Sequence, residues 1–352
     1  MNNTYKQVIR VSQNARKSLE LLDALPYDNN RTLFVIAEHS NKLLGTITDG
    51  DIRRGLLGGL EISGNISLFM NKNFKYLKNG NDNIKLINEL KCKNIFILPL
   101  VDKDKNLIDV VNLRVTKTIL PLTVLLMAGG RGERLKPMTN NIPKPMLKID
   151  EKPILEHNIN RLISFGIKEI YISVKYLKEQ IIDYFGDGFS KGIKIFYIEE
   201  NDALGTIGAL SFIDSILHKD ILVMNSDLLT NIDFEEFYSF YKEKNATMAL
   251  ASIPYQVDVP YAVIETNDFY VSSFCEKPTY TYYSNGGIYL LNFELKKKIA
   301  RGNFFNATDL MDIVISDSEL NLVHYPLLGY WLDIGKPQDY SKAQEDIKHI
   351  KF

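Results

Sequence analysis

Two hydrophobic rhythms alternate along the last two thirds of this chain. Residues 124–127, 169–174, 193–198 and 221–224 are short runs rich in apolar, β-branched and aromatic side chains, the composition of sheet strands. Between them the apolar positions spread to a helical spacing: residues 154–165 carry them at 154, 155, 159, 162 and 163 and stop at Gly166. Residues 177–185, closed by Gly186-Asp187-Gly188, and 234–244 read as further helices. Strand and helix in regular alternation from Thr123 onward predict a mostly parallel sheet covered by helices. Past residue 260 short strands with polar turns take over, YAVIE and FYVSSFCE around Asn267 and Asp268, and predict an antiparallel extension.

The first 120 residues follow another plan, a weak internal repeat with a period of about 60 residues. FVIAEHSNKLLGTITDGDIRRGLL is echoed by ILPLVDKDKNLIDVVNLRVTKTIL. Each copy reads as a short helix, a hairpin of two apolar strands around a polar turn, and a further helix. The change of plan predicts one domain over residues 1–120 and another over 121–352. With Gly45, Thr48 and Asp51 spaced as Gly-x-x-Thr-x-x-Asp, the first domain resembles a tandem pair of CBS motifs, the α+β Bateman module. In that family the Thr hydroxyl and Asp carboxylate hold an adenine nucleotide, so the resemblance implies such a site at Thr48 and Asp51. Asp109, Asn112 and Val115 stand at the matching places of the second copy, so at most one intact site is expected. A purely architectural role in dimerisation or spacing is the equal alternative.

Residues 125–148, LLMAGGRGERLKPMTNNIPKPMLK, join an apolar strand to a glycine-rich turn and three spaced cations, Arg131, Arg134 and Lys144. Gly129, Gly130 and Gly132, following Ala128, let backbone N–H groups approach phosphate oxygens closely. A dinucleotide fingerprint would need glycine where Leu135 stands, and a Walker A loop would need a Gly-Lys-Ser/Thr ending. The segment instead resembles the GGxGxRLxPxTxxxPKP pattern of the sugar-1-phosphate nucleotidyltransferases, which make NDP-sugars and release pyrophosphate. Met138 replaces the usual Leu, and the resemblance continues through the whole second half of the chain. It implies a Rossmann-like α/β domain with a mixed, mostly parallel sheet, and GTP or another NTP plus a sugar 1-phosphate as substrates.

Composition leaves this picture intact. The hydrophobic content of 45% and charged content of 24% are those of a globular protein with a full core. Residues 1–120 hold 18 Lys+Arg against 12 Asp+Glu and the remainder 24 against 31, dispersed rather than concentrated in the basic stripe of a nucleic-acid binder. No apolar run approaches the ~18 residues that span a bilayer, and MNNTYKQVIR has no hydrophobic signal region, so a cytoplasmic protein without membrane contact is expected. Cys92 and Cys275 have no metal-ligand spacing and read as buried or incidental reduced thiols.

Transfer onto a sugar phosphate needs no protein nucleophile, because a phosphate monoester with a second pKa near ~6 is mostly dianionic at neutral pH. The task is to bring two polyanions together and neutralise the leaving pyrophosphate, which calls for carboxylates to hold Mg²⁺ and for placed cations. Asp227 follows the apolar strand ILVMN, at the strand edge where open α/β sheets bind ligands. Asp333 lies in WLDIGKPQDY, which resembles the family's Trp-x-Asp-x-Gly segment, while SDLL around Asp227 resembles Gly-Asp-x-Leu. The resemblance implies that Asp227 and Asp333 hold Mg²⁺ and that Arg134 and Lys144 act on the reacting phosphates. It likewise implies sugar-phosphate contacts from Glu276 and Lys277 in the Glu-Lys-Pro element and from Asn285 and Gly287 in NGGIYLL. Residues 199–206, EENDALGT, resemble the base-reading loop, with Glu200, Gly205 and Thr206 as its nucleotide contacts and Ala203 replacing the usual Pro. A carboxylate only accepts hydrogen bonds; guanine offers adjacent N1–H and N2–H donors, and uracil offers mainly acceptors. Glu200 therefore favours GTP, with UTP the alternative. The order of a CBS pair before a transferase domain is similar to guanylyltransferases acting on glucosamine 1-phosphate in legionaminic acid synthesis; mannose and heptose 1-phosphates stay open. A homo-oligomer is expected.

Overall fold

The computed structural model describes residues 6–26, 31–80 and 83–350. The chain divides into two units, Met1–Pro121 with Ser164–Gly166, and Leu122–Ile163 with Ile167–Phe352.

In the N-terminal unit, β1 (Val8–Arg10), β2 (Leu33–Ile36) and β3 (Leu43–Ile47) form a three-stranded sheet, with α1 (Ala15–Asp23) joining β1 to β2 and α2 (Asp49–Leu57) after β3. The pattern recurs as β4 (Leu77–Lys78), α3 (Ile84–Cys92), β5 (Ile97–Val101) and β6 (Leu107–Asn112). In each copy the first two strands are parallel and the last two form an antiparallel hairpin. Leu22 packs beneath the first sheet, and Ile87 with Leu90 beneath the second.

The helix expected after the second hairpin is not formed, and the reason is local. In the first copy Asp51 accepts the Thr48 N–H at 2.8 Å while Thr48 Oγ1 accepts the Asp51 N–H at 3.3 Å, a capping box that starts α2. In the second copy the Asn112 side chain accepts the Arg114 N–H at 3.0 Å and closes a turn. β-branched Val115, Thr116, Thr118 and Ile119 then run on to Pro121 without a cap.

The C-terminal unit begins with β7 (Leu122–Ala128), a small hairpin of β8 (Lys148–Ile149) and β9 (Lys152–Pro153), α4 (Ile154–Ser164), β10 (Glu169–Val174), α5 (Lys178–Phe185) and β11 (Lys194–Glu199). It continues through β12 (Asp220–Asn225), β13 (Leu228–Thr230), α6 (Phe234–Glu243), β14 (Met248–Asp258), β15 (Val263–Asn267), β16 (Tyr270–Cys275) and β17 (Thr279–Asn292). α7 (Ala307–Ser316), β18 (Leu322–Pro326), β19 (Trp331–Asp333) and α8 (Pro337–Asp346) complete it. The main sheet has the order β11-β10-β7-β12-β17-β14-β18. Its β11, β10, β7 and β12 are mutually parallel, β17 is antiparallel to both neighbours, and β18 is parallel to β14, so the sheet is mixed and mostly parallel. β7 and β12 are buried almost throughout, which explains their unbroken apolar sequence.

From β7 the chain builds outward through β10 to β11, then returns to the other side of β7 as β12. That reversal opens a crevice at the carboxyl ends of β7 and β12, where ligands bind in open α/β sheets.

β14 and β17 are buried in their inner halves and exposed in their outer halves. Their outer ends and the β15–β16 hairpin, whose turn holds Asp268 at φ +53°, form an exposed arm, the antiparallel extension. Among the described residues no helix is long and apolar enough to cross a membrane. Cys92 and Cys275 are free and exposed, in line with incidental thiols and against buried ones.

Candidate active site

The glycine loop leaves β7 at the crevice. Gly132 has φ +64°, and a Cβ there would lie 3.0 Å from both Lys144 Cβ and Thr139 Cγ2. Conformation and space therefore both require glycine. Thr139 donates its hydroxyl to the Gly132 carbonyl at 2.9 Å, fixing the loop's far end, and the Arg131 guanidinium lies 5.2 Å from the centre of the Tyr176 ring. Gly129 lies against Glu200, whose Oε1 would be 3.1 Å from a Cβ at that position.

Asp227 and Asp333 are far apart in sequence, and a two-stranded ribbon brings them together. β13 pairs with β19 in the register Leu228 to Asp333, and the Ile334 N–H donates to the Asp227 carbonyl at 3.1 Å. Asn158, 2% exposed on α4, donates to the carbonyls of Ser226 and Leu228 at 3.2 and 3.0 Å and so braces the loop that carries Asp227. Ser226 Oγ donates to the Met127 carbonyl at 2.7 Å, tying that loop to β7.

Lys144 is 8% exposed and donates to Asp227 Oδ2, with Asp333 Oδ1 3.6 Å from its ammonium. At that distance the contact to Asp333 is an ion pair and no hydrogen bond. Asp333 Oδ1 is buried without a hydrogen-bond partner. Burial, then the neighbouring Asp227 charge, raise the Asp333 carboxyl above the usual range, while Lys144 and Arg134 pull it back. Arg134 is itself exposed and lies beside Gly335, where a Cβ would be 3.4 Å from its Nη2.

Two convergent carboxylates, one with an unmet buried oxygen, form a hard-oxygen donor pair that fits Mg²⁺. Among the described residues no cluster of three or more His, Cys, Asp or Glu could hold a metal, so further ligands would have to be phosphate oxygens and water. Lys144 holds the cationic position between the acids.

At the neighbouring strand ends Glu200 Oε1 accepts the Ser173 hydroxyl, and Oε2 accepts the Leu204 N–H at 3.0 Å. Gly205, at φ +77°, would place a Cβ 2.5 Å from the Phe305 carbonyl oxygen. Thr206 Oγ1 accepts the Ala307 N–H at 2.8 Å and caps α7. Ala128, Gly129, Gly130, Gly132, Lys144, Glu200 and Asp227 thus follow or flank the carboxyl ends of β7, β11 and β12.

On β17, Asn285 Oδ1 accepts the Gly287 N–H at 2.9 Å and the Tyr289 hydroxyl at 3.0 Å. Gly287 has φ +70° and would place a Cβ 2.6 Å from Asn225 Nδ2. Glu276 and Lys277 lie exposed on the arm, Lys277 at φ +44°. Among the described residues no hydrogen bond or ion pair joins them to the Lys144 cluster. In the N-terminal unit Asp51 Oδ2 also accepts the Thr48 hydroxyl at 2.6 Å and Oδ1 pairs with Arg54 at 2.5 Å, so helix capping engages one of its oxygens and the ion pair the other.

Sequence reasoning missed Asn158, Ser173 and Thr139. Asn158 had a readable signal, a polar residue on the apolar side of an amphipathic helix. Ser173 and Thr139 had none beyond being hydroxyls near a strand end and a loop.

The sheet order, the glycine loop at its crevice and the paired acids define a nucleotide-handling α/β domain. Residues 123–350 match the family model described as Nucleotidyl transferase, and the chain belongs to that family. It is 31% identical over 225 residues to the mannose-1-phosphate guanyltransferase of Yarrowia lipolytica, covering 61% of each chain. To that of Schizosaccharomyces pombe it is 28% identical over 228 residues, covering 62% of each. The chain thus spans about three fifths of the length of these curated relatives. Among solved structures, HddC from Yersinia pseudotuberculosis aligns with a TM-score of 0.50 and 28% identity, over 64% of this chain and 99% of that one. A glucose-1-phosphate thymidylyltransferase candidate from Bacillus anthracis, crystallised with sucrose, shares the fold with a TM-score of 0.53 and 21% identity, over 66% of this chain and 97% of that one.

Proposed function

We propose that the chain is a cytoplasmic sugar-1-phosphate guanylyltransferase, joining GTP and a sugar 1-phosphate into a GDP-sugar and releasing pyrophosphate. The observation that carries this reading is Lys144 seated between Asp227 and Asp333, beside the glycine loop at the sheet's reversal point. In the reaction a sugar-phosphate oxygen attacks the α-phosphorus of the triphosphate. The bond from that phosphorus to the bridging oxygen breaks, and pyrophosphate leaves with the electron pair. Bound at Asp227 and Asp333, Mg²⁺ would reduce the repulsion between the two anions. Backbone N–H groups at Gly129, Gly130 and Gly132 cradle the phosphates, Arg134 and Lys144 take up the leaving group's charge, and Glu276 and Lys277 reach the sugar phosphate from the arm.

Guanine is the base we assign, through the remaining acceptor capacity of Glu200, and the relatives' names as guanyltransferases support it. UTP is the second reading for the base. For the sugar we assign glucosamine 1-phosphate, on a route to legionaminic acid, with mannose and heptose 1-phosphates as competitors. A silent nucleotide sensor is disfavoured, because the chain retains Asp227, Asp333, Arg134, Lys144 and Lys277. The N-terminal unit we read as a CBS pair, binding an adenine nucleotide through Thr48 and Asp51 or serving assembly. A pyrophosphate-release screen crossing four NTPs with hexose and hexosamine 1-phosphates tests the assignment. GTP with glucosamine 1-phosphate is expected to be fastest, and no release with any pair would overturn it.

The arm suits a second copy of the chain. Tyr255, Tyr261, Phe269, Tyr270, Phe274 and Tyr282 are 60–99% exposed there. Exposed aromatic side chains of this kind are the ones enriched at the centres of protein interfaces. Tyr270→Glu with Tyr282→Glu should convert a dimer to a monomer in sedimentation velocity; a wild-type chain that sediments as a monomer would remove the idea.

A further inference from the structure

The two copies in the N-terminal unit differ at the tip of their hairpins. In the first, the turn after β2 is tied by Arg10 at the end of β1. Its Nη1 donates to the carbonyls of Ala37 and Ser40 at 2.7 and 2.6 Å. The guanidinium thereby fills the space between strand end and turn. In the second copy the matching strand end is Lys78: the Asn79 N–H donates to the Val101 carbonyl as the Val11 N–H does to that of Ile36.

Here the turn ties itself. Asp102 accepts the N–H groups of Asp104 and Asn106 at 2.9 and 2.8 Å and the Asn106 side-chain amide at 2.9 Å. Lys78 is released from the task that Arg10 performs. A cavity of about 310 Å³ remains, lined by Tyr76, Lys78, Asn79, Asp102, Lys103 and Lys105. Three ammonium groups meet one carboxylate, and that carboxylate is engaged by the turn's own donors. Among the described residues neither Lys78 nor Lys103 has an ion-pair partner, and Lys105 lies 5.6 Å from the centre of the Tyr76 ring. The volume falls near the lower bound of small-molecule sites, ~300–1,000 Å³. Ammonium groups on flexible stems suit phosphate as point charges.

We propose that this cavity binds a small polyphosphate anion, with Lys78, Lys103 and Lys105 as its cations and Asn79 as a neutral donor. It lies at the turn end of the second copy's hairpin, whereas Thr48 and Asp51 lie at the helix end of the first, so it is a separate site. The assignment does not depend on the transferase reading. The anion can be free pyrophosphate or the phosphate tail of a nucleotide, and a stacking role for Tyr76 would favour the nucleotide.

Hydrogen exchange on the full chain locates binding even if the C-terminal unit takes the same probe. Inorganic pyrophosphate and ADP are added separately at up to millimolar concentration, and the peptides covering residues 72–80 and 100–108 are followed. Protection of both segments is expected. Protection by pyrophosphate assigns the phosphates as sufficient, and protection by ADP alone adds the base. In Lys103→Glu with Lys105→Glu, both on an exposed turn, the concentration needed should rise at least about tenfold. Exchange in the remaining peptides of residues 6–120 should match wild type, which certifies the fold of the unit that carries the two substitutions. No protection in either segment would overturn the proposal. So would protection that survives the double exchange, or protection confined to residues 45–55, which would place the ligand at Thr48 and Asp51.

Discussion

Glu200→Gln separates the two tasks of one side chain. The carboxylate accepts the Ser173 hydroxyl on Oε1 and the Leu204 N–H on Oε2, so it holds the loop from β11 toward α7 as well as facing Gly129. Glutamine has the same length. Its carbonyl can keep the Leu204 N–H, and its NH₂ can donate to Ser173 Oγ, because a hydroxyl both donates and accepts. The loop should survive with a stability change below about 1 kcal/mol. Base recognition should not survive, since one of two acceptors for guanine N1–H and N2–H has become a donor. A lost hydrogen bond to a charged group is worth about 1.5–3 kcal/mol. In kcat/KM for GTP that is about 10- to 150-fold. UTP, which offers acceptor oxygens, should lose little. Pyrophosphate release with GTP and UTP against one sugar phosphate, alongside a thermal melt, measures both effects. A GTP/UTP ratio within about threefold of wild type in a folded variant would refute the account, since it falls below a single lost contact.

Other consequences follow from the same cluster. Asp333 has a folded-state pKa raised by burial and by Asp227, so the native state binds its proton more tightly than the unfolded chain. Its ionisation therefore destabilises the fold as pH rises from the ordinary carboxylate range through the raised value. Asp333→Asn should raise Tm at neutral pH by less than about 3 °C, given its half-exposed side chain, and the gain should vanish at acid pH. A gain that grows on acidification would contradict the assigned shift. Gly132→Ala meets both the positive φ and the 3.0 Å contacts with Lys144 and Thr139. It should cost about 1–2 kcal/mol in a denaturant melt, and turnover should fall because Lys144 is displaced. Wild-type stability and turnover would remove the close-approach argument.

The strands and helices of the C-terminal unit were readable because burial on both faces leaves unbroken apolar runs and burial on one face leaves helical spacing. Ile154–Ser164 and Glu169–Val174 ran almost as their sequence indicates. The glycine loop was readable because Gly132 answers a positive φ. The meeting of Asp227 with Asp333 was not, since it depends on β13–β19 pairing, a long-range contact that leaves no periodicity. Nor was the seat of Lys144 between them, or the use of Thr206 as a cap for α7. In the N-terminal unit the repeat is legible, but the last helix it predicts does not form. The hydrophobic pattern there is ambiguous, and the capping-box partner three residues on, Asp51 in the first copy against Val115 in the second, decided the outcome.

The most direct test of the paired carboxylates is pyrophosphate release by Asp227→Asn across a Mg²⁺ series, with circular dichroism to verify folding. The account predicts a folded protein whose turnover falls by about two to three orders of magnitude, the scale of losing a main electrostatic contact to the transition state. Higher Mg²⁺ should not restore it fully. Turnover within about threefold of wild type would contradict the claim that these two acids hold the charge that lets the anions meet.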